Sequence, residues 1–560
     1  MEKRYPDGMF DFKALVTGGY YFVDKTLLIA EICGADNMTF LYTRPRRFGK
    51  SINLSMIDYY FNIRYKDTEN IFSGLKIGSC EKCKPHMNAY PVIKMNFGDF
   101  DSSSLENFRG SMVSLISSVA RQAVRDLSGL LVDETYRGII RSAADCTIGR
   151  IDSRRFIRTL CEVYREVFGK KPIILVDEYD HCIQNIRSEE LFESIVGELR
   201  PFMEQTFKFN DDLGFGFVTG IMPLAKTSML SSFNNASICS ILDDSGDESF
   251  GFTEDEVLGL LKETGNSPDK MDEIKAWYDG YRFGNAEVYN PYSVMLYLKN
   301  HCRPEAYWNN MTGGGLSSDL VSDLGAESLG ILRRLYEDPG SFIESPVDVR
   351  IICADVITPS AKPSAVYSYL AMVGYLKAVR TDAEEDGKPI CRLSMVNKEV
   401  TYSFSSLVER ATVVEKVADL SVYSLYEMNP NKTKKNIEAL LSGLAMDSTW
   451  RQDVDPTARH NRYRDVVFAL LSTPDILAKE EVRKGYGMTD IFFPAKGGRR
   501  PIVLEVKTTI DPEKDLKRLS EEALDQIEDR AYADEPGMEK AIMVGLGIRM
   551  KTVEVSFRER

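Results

Sequence analysis

Short unbroken apolar runs alternate along the chain with longer stretches in which apolar residues recur every three or four positions. The runs at 39–42 (TFLY), 91–97 (PVIKMNF), 172–180 (PIILVDEYD), 214–221 (GFGFVTGI) and 236–242 (ASICSIL) read as buried strands, with helical periodicity between them. Strands spaced by helices predict an α/β unit over 1–245, a parallel sheet with helices on both faces. From Gly251 the pattern shifts to short amphipathic helices, GFTEDEVLGLLKET and SPDKMDEIKAWYDGY, with Thr253 and Ser267 as expected N-caps. Residues 246–430 are therefore expected to form a helical lid and connector, with winged-helix character left open. In the last region, 431–560, period-two alternation through GYGMTDIFF (485–493) and PIVLEVK (501–507), joined by the polar loop PAKGGRR, predicts a hairpin.

At 560 residues the chain exceeds what one core supports, and about three or four packing units are expected. Its composition, 43% hydrophobic and 28% charged, is that of a folded protein. No apolar run approaches the roughly 18 residues that cross a bilayer, and the opening MEKRYPDGMFDFK lacks a signal-peptide core. A cytoplasmic location without membrane insertion is the expectation. Ten scattered cysteines suit a reducing compartment. Cys80 and Cys83 form a CxxC near His86, but no second ligand pair lies at useful spacing, so they read as loop cysteines. A net charge of -14 excludes a generally basic, nucleic-acid-coating surface and makes any such contact local.

The first chemistry lies at TRPRRFGKS (43–51), which follows a strand and opens the helical pattern INLSMIDYYF. Strand, loop and helix follow in P-loop order, with backbone N–H groups facing phosphates, Lys50 reaching the β and γ phosphates and Ser51 ligating magnesium. Arg44 stands where GxxxxGK[ST] has its first glycine. Downstream, the strand ending at Asp177 and Glu178 has the form of a Walker B strand: Asp177 would hold magnesium and Glu178 would orient or deprotonate a water. Thr219 closes a further strand at the position of a sensor residue.

The second chemistry lies in the C-terminal hairpin. Alternation puts Glu505 and Lys507 on one face, and pairing across the hairpin lets Asp490 and Glu505 share a divalent cation while Lys507 positions or activates a water against a phosphodiester. From Lys479 to Lys507 seven basic residues face four acidic ones, two of which are the expected ligands.

Six phrases together, YYFVDKT (20–26), TRPRRFGKS, ILVDEYD (174–180), FVTGIMPLAKTSMLSSFNN (217–235), GFTEDEV (251–257) and WYDGYRFG (277–284), give the chain a resemblance over nearly its whole length. It resembles the prokaryotic AAA-ATPase-like proteins that carry a C-terminal PD-(D/E)XK nuclease-superfamily domain. In that family the Arg-Pro-Arg-Arg loop replaces the glycine-rich start, so the resemblance implies nucleotide binding by Arg44, Arg46, Arg47, Phe48, Gly49, Lys50 and Ser51. It further implies a D…ExK centre at Asp490, Glu505 and Lys507, with Gln526 as an accompanying polar residue. One departure concerns the preceding helix, RHNRYRDVVFALL, where His460 or Asn461 stands in place of a carboxylate and Asp465 is the nearby acid. Asp24 and Lys25 of VDKT either approach the nucleotide or, on the reading taken here, Asp24 caps the next helix. Trp277, Tyr278, Asp279 and Arg282 form either a relay from the lid or an aromatic packing corner.

The expectation is an ATP- and magnesium-binding protein that couples nucleotide state to a nuclease-like domain acting on nucleic acid, DNA above all. Defence or mobile-element control would be its setting. The rival is a nucleotide-switched DNA- or protein-binding scaffold with an inactive nuclease fold. Relatives of the AAA type assemble into rings, which leaves a homo-oligomer open, although no arginine is assigned to a neighbour's site.

Overall fold

The computed structural model describes residues 3–35, 39–65, 68–184, 186, 188–223, 236–309, 326–338, 340–351, 356, 362–405, 423–442, 456–471, 478–495, 499–534 and 538–560. The chain divides into two compact units, 1–405 and 406–560. The middle region therefore packs with the N-terminal one up to residue 405, short of the boundary at 430 drawn from the sequence.

In the first unit, helices α1 (Phe12–Thr17) and α2 (Leu27–Gly34) precede strand β1 (Thr39–Thr43), whose five residues are all buried. Helix α3 (Lys50–Phe61) follows at once. Strand β2 (Val92–Asn96) leads into helices α4 (Leu105–Asp126), α5 (Glu134–Ala144) and α6 (Arg150–Phe168). Strand β3 (Ile173–Asp177), helix α7 (Glu189–Met203) and strands β4 (Phe215–Gly220) and β5 (Ala236–Cys239) complete the layer. All five expected strands are present, in the order β2-β3-β4-β1-β5 and with every pairing parallel. β5 stops at Cys239 because the chain turns there, with Ser240 N–H and hydroxyl both bonded to Asp243.

Alternating side chains send each strand's apolar residues to both faces. Leu41, Ile93, Met95, Ile174, Val176 and Val218 pack with Phe108, Ile116, Phe156, Leu160, Ile195 and Leu199 of α4, α6 and α7. On the other face α3 meets Phe215 through Phe61, while Phe40 meets Phe215 edge-on and Tyr42 packs tilted against Phe217. The sheet is thus a buried layer whose strand ends point β1 and β3 the same way, which brings the 43–51 loop near Asp177.

Beyond it, helix α8 (Glu254–Glu263) starts with a capping box, Thr253 and Glu256 each bonding the other's backbone. Helix α9 (Met271–Tyr278) is followed by a small hairpin, β6 (Tyr281–Phe283) and β7 (Ala286–Val288), and by α10 (Pro291–Lys299), capped by Asn290. Ser267 caps the short 3-10 turn before α9. Helix α11 (Ala326–Glu337), strand β8 (Ile343–Pro346), helix α12 (Pro363–Val373) and strands β9 (Leu376–Glu385) and β10 (Lys388–Met395) end this unit. The antiparallel sheet β8-β10-β9 corrects the helical reading of the connector. Its long hairpin turns at Asp386 and Gly387, both at positive φ, the geometry an Asp-Gly pair supplies at least cost. No described helix is long and apolar enough to cross a membrane.

The second unit contains helices α13 (Pro430–Ser442) and α14 (Pro456–Leu471), strands β11 (Lys479–Lys484), β12 (Gly487–Phe493) and β13 (Ile502–Thr508), helix α15 (Leu516–Asp529), and strands β14 (Ile542–Arg549) and β15 (Thr552–Glu559). They make one sheet in sequence order, antiparallel except for the β13–β14 pair, which α15 connects. One face packs Ile491, Leu504, Val506 and Val544 under Tyr463 and Val467 of α14 and Ile437 and Leu441 of α13. On the other, α15 sits so close that a Cβ on Gly545 would lie 2.0 Å from the Ser520 carbonyl, and one on Gly547 2.3 Å from that of Leu516.

Candidate functional site

The 43–51 loop is held by a buried cation. Arg44 is fully buried, and its guanidinium donates to the carbonyls of Thr43 (2.9 Å), Cys239 (2.7 Å), Ser240 (2.8 Å), Ser245 (3.2 Å) and Gly246 (3.3 Å). It lies over the Phe283 ring at 4.9 Å and the Phe250 ring at 5.3 Å. Burial pulls this arginine down to about 10. This charge ties the end of β1 to the turn after β5. Phe48 is a second anchor, 1% exposed, with Tyr281 and Phe283 at 4.8 and 5.0 Å. Gly49 takes φ +82°, a left-handed turn that opens α3.

Of the remaining loop residues Lys50 is buried, Arg46 and Ser51 are half-buried and Arg47 is exposed. Lys50 Nζ donates to the carbonyls of Arg44 (2.9 Å) and Pro45 (2.8 Å). Burial draws its ammonium down to about 8, against the pull of Asp180, Asp177 and Glu178. Ser51, in the first turn of α3, is half-buried. Arg46 reaches Gln184 Oε1 at 3.3 Å, and the exposed Arg47, at φ +71°, lies over the Tyr292 ring at 4.9 Å.

Across the sheet, Asp177 Oδ1 accepts the Thr219 hydroxyl at 2.6 Å and the Glu178 N–H at 3.1 Å. Glu178 has φ +52° and a side chain 47% exposed, with Oε2 3.7 Å from His181 Nδ1. Strand pairing sets Asn96 beside Asp177, and a Cβ on Gly98 would touch both Asn96 Oδ1 and Glu178 Oε2. Asp180 is wholly buried and accepts the N–H groups of Ile221 and Met222, which locks β3 to β4. Asn96 and His181 escaped the sequence reading. Ser51 and Asp177 are oxygen donors of the kind magnesium takes. Residues 224–235 of the FVTGIMPLAKTSMLSSFNN phrase lie outside the described residues.

Asp24 and Lys25 serve elsewhere. Asp24 accepts from Thr26 and from the Lys76 N–H, and Thr26 is the N-cap of α2, so the cap reading is corrected by two positions. Lys25 pairs with Glu256 at the start of α8. Tyr278 is buried against Tyr297 and Tyr307, the aromatic packing corner.

In the second unit the β12–β13 register, Ile491 opposite Leu504, puts Asp490 opposite Glu505. Asp490 Oδ2 accepts the Val506 N–H at 2.8 Å, and Oδ1 lies 3.0 Å from His460 Nε2. Glu505 is 1% exposed; Oε1 accepts the Gln526 amide at 3.2 Å and Oε2 is buried without a hydrogen-bond partner. Lys507 donates to Gln526 Oε1, so Gln526 bridges the acid and the lysine. Burial, then the Asp490 carboxyl, raises Glu505 well above the carboxylate range. Burial also pushes Asp490 up, but its bonds to His460, Glu505 and Val506 outweigh it and the net direction is down. The pair thus behaves as two acids sharing a proton. A cation would take that proton's place, and Glu505 Oε2, to which no other group of the protein donates, is an observation that fits one. No group of three or more His, Cys, Asp or Glu side chains that could hold a metal occurs among the described residues, so any ion here would rest on two carboxylates and water. Asp465 is exposed and paired with Arg464, away from this centre, whereas His460 faces it.

Over 544 residues, 95% of this chain and 93% of the relative, the sequence is 25% identical to a protein described as the uncharacterized protein in the vnfD 5′ region of Azotobacter chroococcum mcd 1. A solved structure, the Aeropyrum pernix Orc1 protein in complex with DNA, aligns with 71% of this chain and 95% of its own at 12% identity and a TM-score of 0.25. Residues 6–230, which include the arginine-anchored loop, the Asp177 strand and Thr219, are similar to the AAA-ATPase-like family, described as predicted AAA-ATPases.

Proposed function

We propose that the first unit binds and hydrolyses ATP with magnesium, and that its nucleotide state gates metal-dependent phosphodiester cleavage of nucleic acid, DNA above all, by the second unit. In the first unit Lys50 would exchange its two loop carbonyls for phosphate oxygens, Ser51 and Asp177 would hold the metal, and Glu178 would take the proton of the attacking water. Bound magnesium supplies charge neutralisation at the phosphates. Arg46 and Arg47 stand at the rim, where they would meet phosphate charge in cis.

The feature that carries the cleavage reading is the buried Asp490–Glu505 pair, in which no other group of the protein donates to Glu505 Oε2. Such an atom is costly unless something occupies it. Lys507, oriented by Gln526, stands on the same face to position a water or meet a phosphate oxygen. Defence or control of mobile elements is the setting proposed for such a pair of activities.

The test is cleavage of linear, circular and single-stranded DNA and of RNA, with magnesium or manganese, with and without ATP, by wild type and Asp490→Ala. Cutting that needs Asp490 and responds to ATP supports the gated nuclease. Cutting indifferent to ATP removes the coupling, and ATP turnover unchanged in Lys50→Ala removes the enzyme reading of the first unit.

A second reading is a nucleotide-switched scaffold that holds DNA or protein without cutting. It is favoured by His460, which occupies one Asp490 oxygen where the family carries an acid. Nucleic-acid binding without cleavage in any of those conditions would select it.

A further inference from the structure

Three thiols converge behind the nucleotide helix, in residues the proposed function does not use. Cys80 and Cys83 stand on one tight turn, the Cys83 N–H bonded to the Cys80 carbonyl, with their sulfurs 2.7 Å apart. Cys83 is 1% exposed and begins a 3-10 turn over 84–86, whereas Cys80 is part-exposed. Cys33, near the end of α2, lies close enough to Cys83 for the two thiols to influence each other. All three thiols lie close enough to Tyr60 of α3 to act on its hydroxyl, which is buried without a hydrogen-bond partner.

We propose that Cys80 and Cys83 form a redox-active dithiol that exchanges with low-molecular-weight disulfides of the glutathione type, Cys80 attacking and Cys83 resolving. The asymmetry is what exchange needs: an accessible sulfur in front and a shielded one directly behind it. The surroundings match the roles. The Cys83 thiol, then the backbone N–H groups of Cys83 and Lys82, hold the Cys80 thiol below the ordinary value, while burial pushes Cys83 up. The Cys80 thiolate attacks one sulfur of the small disulfide, forming a mixed disulfide and releasing one thiolate. Cys83 then attacks the Cys80 sulfur and expels the second thiolate, which takes up the Cys83 proton. Two protein thiols and one small disulfide become one protein disulfide and two small thiols, with no other reductant or oxidant.

A zinc site is the competing use of a thiol cluster, but no group able to hold a metal is found among the described residues.

The experiment treats the reduced full-length protein, freed of reductant, with increasing glutathione disulfide, then alkylates with a maleimide and maps the peptides by mass spectrometry. Expected are a linked Cys80–Cys83 peptide in wild type and a glutathione adduct retained on Cys80 in Cys83→Ser. Alkylation of both cysteines as in the reduced protein would overturn the proposal, as would an adduct-free Cys80 in a Cys83→Ser protein that unfolds at the wild-type temperature. Zinc retained through purification, with both thiols alkylated only after a chelator, would overturn it in favour of a metal site. If Cys83→Ser does not fold, the wild-type map decides.

Discussion

The Thr219 hydroxyl lies 2.6 Å from Asp177 Oδ1, joining the ends of the neighbouring strands β4 and β3. Both side chains are buried, so the bond fixes which way the carboxylate faces. Thr219→Ala should leave the fold intact and lower ATP turnover by roughly 10- to 100-fold, the usual effect of removing a group that orients a metal ligand. Steady-state hydrolysis beside a nucleotide-binding titration checks this; turnover at the wild-type rate would show that Asp177 needs no such support.

Gly49 carries the loop into α3 at φ +82°, where a side chain is strained even though the nearest atom to a built Cβ, Ile52 Cγ2, is a tolerable 3.4 Å away. Gly49→Ala should therefore cost about 1–2 kcal/mol through backbone conformation alone. A thermal melt and an ATP titration should both register it.

Glu399 ties three segments together. Its carboxylate accepts the Ser293 hydroxyl at 2.9 Å and the Trp308 N–H at 2.8 Å, and burial raises it to about 7. A carboxyl raised on folding holds its proton longer in the folded state, so its contribution is full below the unfolded value near 4.5 and is lost as pH rises through 7. The first unit should lose on the order of 3 kcal/mol between pH 5 and 8, and Glu399→Gln should flatten that slope. Melts across this range, in wild type and variant, measure it; equal slopes would refute the assignment.

Gln526 takes the Lys507 proton donor on its oxygen and gives its amide to Glu505. Gln526→Leu keeps the volume and removes both bonds. Metal-dependent cleavage should fall by roughly 10- to 100-fold with little change in the melting temperature.

Gly545→Ala would drive a methyl to 2.0 Å from the Ser520 carbonyl. Backbone, not a flexible side chain, stands in the way, and a loss of about 3 kcal/mol in the second unit is expected from denaturant unfolding.

The strands were legible as apolar runs, and three of them end in a chemical signature: β1 in the GKS loop, β3 in Asp177 and Glu178, β13 in Glu505 and Lys507. The Asp490–Glu505 pairing followed from the hairpin that the PAKGGRR loop implies, and the placing of Lys507 beside Glu505 from period-two alternation. The role of Arg44 was not legible, since its carbonyl partners beyond Thr43 lie 195 to 202 positions further along the chain. The β9–β10 hairpin was missed although Asp386-Gly387 marked it, because the apolar stretch before it read as one continuous helix. His460 could be seen to replace an acid, but only the fold shows that its ring turns toward Asp490 and that Asp465 turns away.

The Arg44 anchor also bears on how a nucleotide would arrive. A glycine-rich loop can rearrange around its guest, whereas this one cannot shift without stripping five carbonyls from a charge that has no water to replace them. The receptacle is rigid before anything enters it. Docking would then reduce to one motion, the release of the Lys50 ammonium from two oxygens of its own loop toward oxygens of the incoming phosphate. Swapping Arg44 for the glycine of a conventional loop would loosen the receptacle instead of repairing it.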